Sequence, residues 1–236
     1  MAVYDGIALE YANVFDNIAL RRFEWPWLRG LIAEHKPHSL LELGCGNGYL
    51  LEALSPSVPD LYAVEPCQDM VSIARERLGQ TATLCQASAE SLPFADGSFD
   101  MAVSLLSFRY MDWERAVGEI HRLLKTDGVF ILVDLFAARF NPLLFGKYCA
   151  TWAGVRLQYA GNREYRHKLK ELSRNPQWRN MTQEHPKREL ADARRVIEQT
   201  FTIRTEKLLS AGLRGKTVGL VCVKQHGEKE TACEKT

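Results

Sequence analysis

The sequence predicts an α/β fold: a three-layer α/β/α sandwich whose seven-stranded sheet is mostly parallel and ends on an antiparallel strand. Three observations carry that expectation. Short runs that are apolar at successive positions, such as Val129-Phe130-Ile131-Leu132-Val133, alternate with helical stretches, and strands apolar on both faces belong to a parallel sheet covered on both sides. The first run, Ser39–Leu43, leads into the glycine-rich turn Gly44-Cys45-Gly46-Asn47-Gly48. The last two β-type runs have no helix between them, which suits an antiparallel pair.

The elements follow in order. Residues 1–38 place Tyr11, Phe15, Ile18, Phe23, Trp27 and Leu31 three to five positions apart, an amphipathic helical stretch that would lie over the sheet as a lid. After the first strand a helix starts around Leu50–Leu54. Leu61–Glu65 is the second strand and Gln68–Leu78 the second core helix. Thr81–Gln86 and Phe99–Leu106 are the third and fourth strands, and Trp113–Leu124 is a helix with Ala116, Ile120, Leu123 and Leu124 on one face. The turn Thr126-Asp127-Gly128 opens the fifth strand, Val129–Val133. The rhythm then breaks, and residues 136–182 read as a helical insertion. A helix is expected over Pro186–Thr200, with the proline in its first turn. The pair Thr202–Leu209 and Thr217–Val223 closes the sheet. One domain over 1–226 is expected, with a disordered polar tail at 227–236.

Composition is ordinary for such a domain: 236 residues, 46% hydrophobic, 25% charged, and a net charge of +1. No global field draws the chain to nucleic acid or to a membrane surface. No run approaches the ~20 apolar residues of a membrane helix, and the start carries acid rather than the pattern of a signal peptide. Cys45, Cys67, Cys85, Cys149, Cys222 and Cys233 form no C-x-x-C pair or zinc spacing, and read as small buried residues in a reducing compartment. The expectation is a cytoplasmic protein with no metal site, as a monomer or homodimer.

Two features carry chemistry. Glycines in the turn let the backbone approach a ligand closely, and the helix start beyond them exposes N–H groups. Glu65 ends the second strand 19 residues after Gly46, where a carboxylate accepts hydrogen bonds from the hydroxyls of a ribose. Both features fit a nicotinamide dinucleotide or S-adenosylmethionine, and the spacing decides between them. A dinucleotide turn starting at Gly44 needs its third glycine at position 49, where Tyr49 stands, and Glu42 is badly placed beside a diphosphate. The acid suits the ammonium of a methionine moiety instead.

Glu42-Leu43-Gly44-Cys45-Gly46-Asn47-Gly48 resembles motif I of class I S-adenosylmethionine-dependent methyltransferases, in the form typical of small-molecule and quinone-type enzymes. Val64-Glu65-Pro66 with Met70, Ala87 through Asp100, and Glu119 through Gly128 resemble the next three motifs in order. The resemblance covers about residues 4–135 and the final strand pair, and it implies a Rossmann-like fold. It also implies that S-adenosylmethionine is the cofactor and S-adenosylhomocysteine the product. Gly44, Cys45, Gly46 and Gly48 would meet the methionine portion, as would Glu42 and the carbonyl near Leu105. Glu65 would hold the ribose, and Pro66 and Met70 would pack on adenine. Ala89 would offer its N–H to the ring with Ser88 and Glu90 beside it, and Tyr11 would close over the cofactor. Ser88 replaces the usual acid, a loss of about 1–2 kcal/mol in affinity. Phe108-Arg109-Tyr110 stands where a histidine pair is frequent, so no general base is assigned.

The reaction implied is in-line methyl transfer to oxygen, nitrogen or carbon of a small organic acceptor. The insertion holds nine Lys or Arg against Glu164 and Glu171, a net +7. A solvated face is the default reading of such a run. The resemblance makes the segment the acceptor pocket, its tryptophans and tyrosines forming an apolar lining. RNA methylation through that basic segment is one alternative, and a non-catalytic cofactor-binding regulator is another. His185 reads as a surface residue in a loop able to border the pocket. The acceptor and the atom methylated are not encoded in any motif.

Overall fold

A computed structural model describes residues 4–138, 142, 145–160, 162–212 and 215–225, without the side chains of Val155, Gln158 and Tyr159. The tail 227–236, Cys233 and Arg139 lie outside the described residues. Seven strands form one sheet in the order β3-β2-β1-β4-β5-β7-β6. They are β1 (Ser39–Leu43), β2 (Asp60–Val64), β3 (Thr83–Cys85), β4 (Phe99–Leu105), β5 (Leu124–Phe136), β6 (Phe201–Gly212) and β7 (Gly215–Lys224). The first five run parallel, and β7 is antiparallel to both β5 and β6. The sheet is therefore parallel throughout except at β7.

Successive strand residues point to opposite faces, and two cores result. Leu41, Leu43, Phe130 and Leu132 pack on one side with α5 (Trp113–Leu123) and α9 (Leu190–Ile197). Leu40, Met101, Val103, Ile131 and Val133 pack on the other with α2 (Glu24–His35), α3 (Tyr49–Leu54) and α4 (Gln68–Leu78). The α5 helix shows why its sequence folds so. Asp112 caps its start, accepting from Arg115 N at 3.3 Å, and Trp113, Ala116, Val117, Ile120 and Leu123 make one buried stripe.

Three expectations are corrected. Residues 1–38 are not one helical stretch but α1 (Ala8–Val14), a 3-10 turn at Ile18–Leu20 and α2. The break comes at Asn17, which is extended and caps the turn through its side chain, accepting from Ala19 N at 2.8 Å. The helix expected from Pro186 starts only at Leu190, because residues 186–189 are not helical, Glu189 is extended and Arg188 O accepts from Ala137 N at 2.9 Å. The fifth strand begins at Leu124 rather than Val129, with its register interrupted between the pairs Phe99–Leu124 and Met101–Val129. Of the described cysteines, Cys45, Cys67 and Cys222 are buried, whereas Cys85 is half-buried and Cys149 exposed. The insertion is helical as expected: α6 (Phe145–Ala160), α7 (Arg163–Arg174) and α8 (Pro176–Glu184). No helix among the described residues is long and apolar enough to cross a membrane.

Two polar clusters brace the sheet. Arg122 reaches from α5 to Glu119, to Asp96 at 2.7 Å and to the carbonyls of Phe94 and Leu92, while Glu119 accepts from Leu92 N. The segment 92–96 is thereby strapped to α5. At the start of β4 Asp100 accepts from Ser39 N at 2.8 Å and from Lys125 Nζ at 2.8 Å. Burial works against its charge, but Lys125 and Ser39 win, holding the carboxyl at about 2 against an ordinary 3.8. A depressed pKa in the folded state means stability that is present above pH 3.8 and lost as pH falls toward 2. The side chain is 32% exposed, so screening cuts the contribution to about 1 kcal/mol. Asp100→Asn should cost that much near neutrality, and the difference should close in acid melts approaching pH 2. A deficit that persists unchanged to low pH would contradict this.

Candidate functional site

The turn after β1 is shaped by backbone that only glycine adopts freely. Gly44, Gly46 and Gly48 have φ of +70°, +54° and +78°. A Cβ on Gly44 would sit 2.6 Å from Ser107 Cβ, so the turn also depends on close approach to the chain after β4. A Cβ on Gly46 would meet nothing within 4 Å, and Gly46 lines an open cavity that the turn borders.

That cavity lies at the C-terminal ends of β1, β2 and β4, where the strand order reverses direction and α/β sheets hold their ligands. Glu42, Gly44, Cys45, Gly46, Glu65, Pro66, Ser88, Ala89, Glu90, Leu105 and Tyr11 all line it. Eleven of the thirteen residues picked from the sequence are thus brought together. Gly48 and Met70 are not. Gly48 packs against Leu78 and Ala74 of α4, and Met70 is fully buried with Ala8 and Cys67 under the N-terminal helix. Both positions serve helix packing. Tyr4, Tyr49, Ser107, Tyr110 and Met111 line it as well; the sequence assigns none of these a cofactor contact, although Tyr110 stands in the Phe108-Arg109-Tyr110 stretch.

The carboxylates of the site are in unequal states of satisfaction. Glu65 Oε2 accepts from Gly46 N at 2.9 Å and its Oε1 from Cys67 N at 3.0 Å. Burial pushes this carboxyl up, and those two N–H donors pull it back. Glu42 is 3% exposed, and its Oε2 is buried with no hydrogen-bond partner. Burial, and then the charge of Glu65, push its carboxyl well above the ordinary range. A buried carboxylate oxygen without a donor is costly, and a cationic group at that point would favour its ionised form. The wall at Ser88 is not without an acid, for the Ser88 hydroxyl donates to Glu90 Oε2, and Glu90 Oε1 accepts from Asp112 N at 2.8 Å.

A second, wider cleft of about 640 Å³ adjoins the first and shares Tyr4, Tyr11, Leu106 and Tyr110 with it, a size usual for small-molecule sites. Leu106, at the junction, takes φ of +61°, a strained value for leucine. Tyr4 and Tyr11 have ring centroids 4.8 Å apart, and Tyr110 stands 6.0 Å from Tyr4. Phe15, Arg21, Arg109, Trp178, His185 and Lys187 also line it. His185, read from the sequence as a surface residue, instead sits half-buried with its ring 5.2 Å from Tyr110. The insertion supplies less aromatic lining than expected. Trp178 of α8 lines the cleft, but Trp152 is 62% exposed and Tyr165 is buried against α1. Its charges are partly spent locally, Lys168 pairing with Glu164 at 2.7 Å and Arg179 Nε donating to Ser173 O.

Arg109 bridges the cleft and the sheet. Its Nη2 lies 2.9 Å from Asp134 Oδ1, and Asp134 also accepts from Arg109 N at 2.8 Å and Leu135 N at 2.6 Å. Asp134 is 1% exposed. Burial holds its carboxyl up, against the pull of Arg109 and the two N–H donors.

A family model described as a methyltransferase domain matches residues 41–132. An uncharacterized methyltransferase, YcgJ, of Bacillus subtilis is 38% identical over 112 residues, covering 45% of this chain and 44% of that protein. A demethylmenaquinone methyltransferase of Thermotoga maritima is 28% identical over 161 residues, covering 64% and 69%. The chain thus spans less than half of the first relative's length and about two thirds of the other's. In fold it is similar to the geranyl diphosphate C-methyltransferase of Streptomyces coelicolor, solved with S-adenosyl-L-homocysteine. The TM-score there is 0.58 at 12% identity, over 83% of this chain and 78% of that one.

Proposed function

We propose that the chain is a class I S-adenosylmethionine-dependent methyltransferase that transfers a methyl group to oxygen, nitrogen or carbon of a small organic acceptor, a reading supported by the methyltransferase-domain model that matches residues 41–132. The observation that carries the proposal is the buried, unpartnered Oε2 of Glu42 in the cavity that Glu65 and the positive-φ turn also line. Its chemistry fits an amino-acid ammonium, and the Glu65 carboxylate beside it fits a ribose diol. A diphosphate would set two anions against these carboxylates.

When bound, S-adenosylmethionine supplies a methyl made electrophilic by the sulfonium. The chain's own residues then have three tasks. Glu42 and the Gly44–Gly46 backbone hold one end of the cofactor, and Glu65 with the Ser88–Glu90 wall holds the other. Tyr4, Tyr11 and Tyr110 form the shared partition between the two cavities and keep water from the reacting centre. The wider cleft holds the acceptor in line with the bond to be broken, an orientation effect worth several orders of magnitude in rate. Tyr4, Tyr11 and Tyr110 are the titratable groups at the junction, with the His185 ring 5.2 Å from Tyr110. None is needed as a base for a nucleophile that reacts without losing a proton first.

Calorimetry of the purified chain with S-adenosylhomocysteine tests the cofactor reading, and binding is expected. Incubation of a metabolite extract with methyl-labelled cofactor then tests turnover. Label appearing in small molecules is the expected result. Cofactor uptake without any labelled product would favour the non-catalytic regulator, label in RNA would favour the basic insertion as a substrate platform, and absence of uptake would overturn the proposal.

A further inference from the structure

We propose that the acceptor is an anion, bearing a carboxylate or a phosphorus oxyanion on an apolar or aromatic body, and that Arg21 is the side chain that recognises it. This rests on reading the wider cleft as the acceptor side of a methyl-transfer site.

Arg21 lines that cleft beside Tyr11, which lines both cavities, and Tyr49, which lines the first. Its Nε donates to Tyr49 OH at 3.2 Å and its Nη2 to Tyr11 OH at 3.3 Å, and its guanidinium lies 4.8 Å over the Phe15 ring. The Tyr49 phenol is neutral, since burial pushes it up to about 12. No carboxylate among the described residues forms an ion pair with Arg21. A guanidinium has five N–H donors in a planar fork, and the two phenols take only two of them. Keeping a cation in a partly desolvated place without a bonded counter-ion is unfavourable. An arriving oxyanion would relieve that and use the remaining donors.

The other charges of the cleft sharpen the point. Arg109 is matched by Asp134 at 2.9 Å, so its charge is already met. Glu24 also lines the cleft and favours the charged form of Arg21, but it is not bonded to it. Lys187 and His185 also line the cleft. Phe15, Tyr110 and Trp178 offer an apolar body its packing surface. Since Tyr11 lines both cavities and holds Arg21, an anion seated on Arg21 places the rest of the acceptor against the shared partition.

The test uses the full chain saturated with S-adenosylhomocysteine and three probes of one shape: 4-hydroxybenzoate, 4-hydroxyphenylphosphonate and the neutral 4-hydroxybenzamide. Calorimetry should find at least one acid bound about tenfold or more tightly than the amide, with the stronger acid telling a carboxylate from a phosphorus oxyanion. Arg21→Gln should abolish that preference, and Arg21→Lys should keep part of it. Glu24→Gln should strengthen binding of the acids, which keeps the test decisive should Arg21→Gln fold poorly. Equal binding of acid and amide, failure of both acids to bind, or an undiminished preference in Arg21→Gln would each overturn the inference. The titration with S-adenosylhomocysteine comes first. Its failure overturns the methyl-transfer reading, whereas cofactor uptake without anion preference overturns only the assignment to Arg21.

Discussion

Replacing Glu65 by alanine should weaken S-adenosylhomocysteine binding by two orders of magnitude or more while leaving a folded protein. The carboxylate is 4% exposed and does two things at once. It fixes the cavity wall by accepting from Gly46 N and Cys67 N, and it presents its remaining lone pairs to the cavity. In the proposed complex these take the ribose hydroxyls. Hydrogen bonds to a charged group are worth about 1.5–3 kcal/mol each, so losing two removes about 3–6 kcal/mol of affinity. Glu65→Gln separates the roles, because an amide keeps the shape, offers only one acceptor and carries no charge. Its affinity should fall between the two. Calorimetry reads the binding and thermal melting reads the fold. An alanine variant that binds as tightly as the parent would remove Glu65 from the site altogether.

Asp134→Ala should have the largest effect on stability, about 3–5 kcal/mol, because it strands the Arg109 guanidinium beside the buried sheet. Asp134 is the mid-sheet carboxylate in β5, held by Arg109 and two backbone N–H groups. Its removal leaves those donors without an acceptor and a cation without a counter-ion. For a chain of this length that amounts to a melting temperature lower by about 10 °C. The double variant Asp134→Leu with Arg109→Met removes both charges and should recover most of the loss, since replacing a whole buried pair with apolar groups is often close to neutral. If Asp134→Ala melts within about 2 °C of the parent, the pair is not the brace described here. The double variant should also change acceptor binding, because Arg109 lines the cleft.

The parts of the fold legible from sequence are those governed by local rules. The β1, β2 and β4 strands and the α4 and α5 helices were found within a residue of their ends, because their apolar spacing and caps are written in consecutive positions. Less legible were elements decided by partners far away. The helix expected from Pro186 is shortened because Arg188 O pairs with Ala137, 51 residues earlier in the chain. The first 38 residues break at Asn17, where one side chain outweighs a helical pattern of aromatics. Gly48 and Met70 match a motif yet pack against helices, since spacing alone does not tell a ligand contact from a helix contact.

Taken alone, the sequence determined the layered α/β architecture, the glycine turn and the acid one strand over, because each depends on residues close in the chain or on a fixed strand–helix–strand step. Only the tertiary structure decided that Glu42 has a buried oxygen without a donor, that Tyr4 and Tyr110 meet as a partition, and that Arg21 faces the cleft between two phenols while Arg109 is neutralised by Asp134. Those facts join segments up to 106 positions apart. Their physical content is desolvation and charge compensation, which depend on every neighbour in space and are not written in any one stretch of chain.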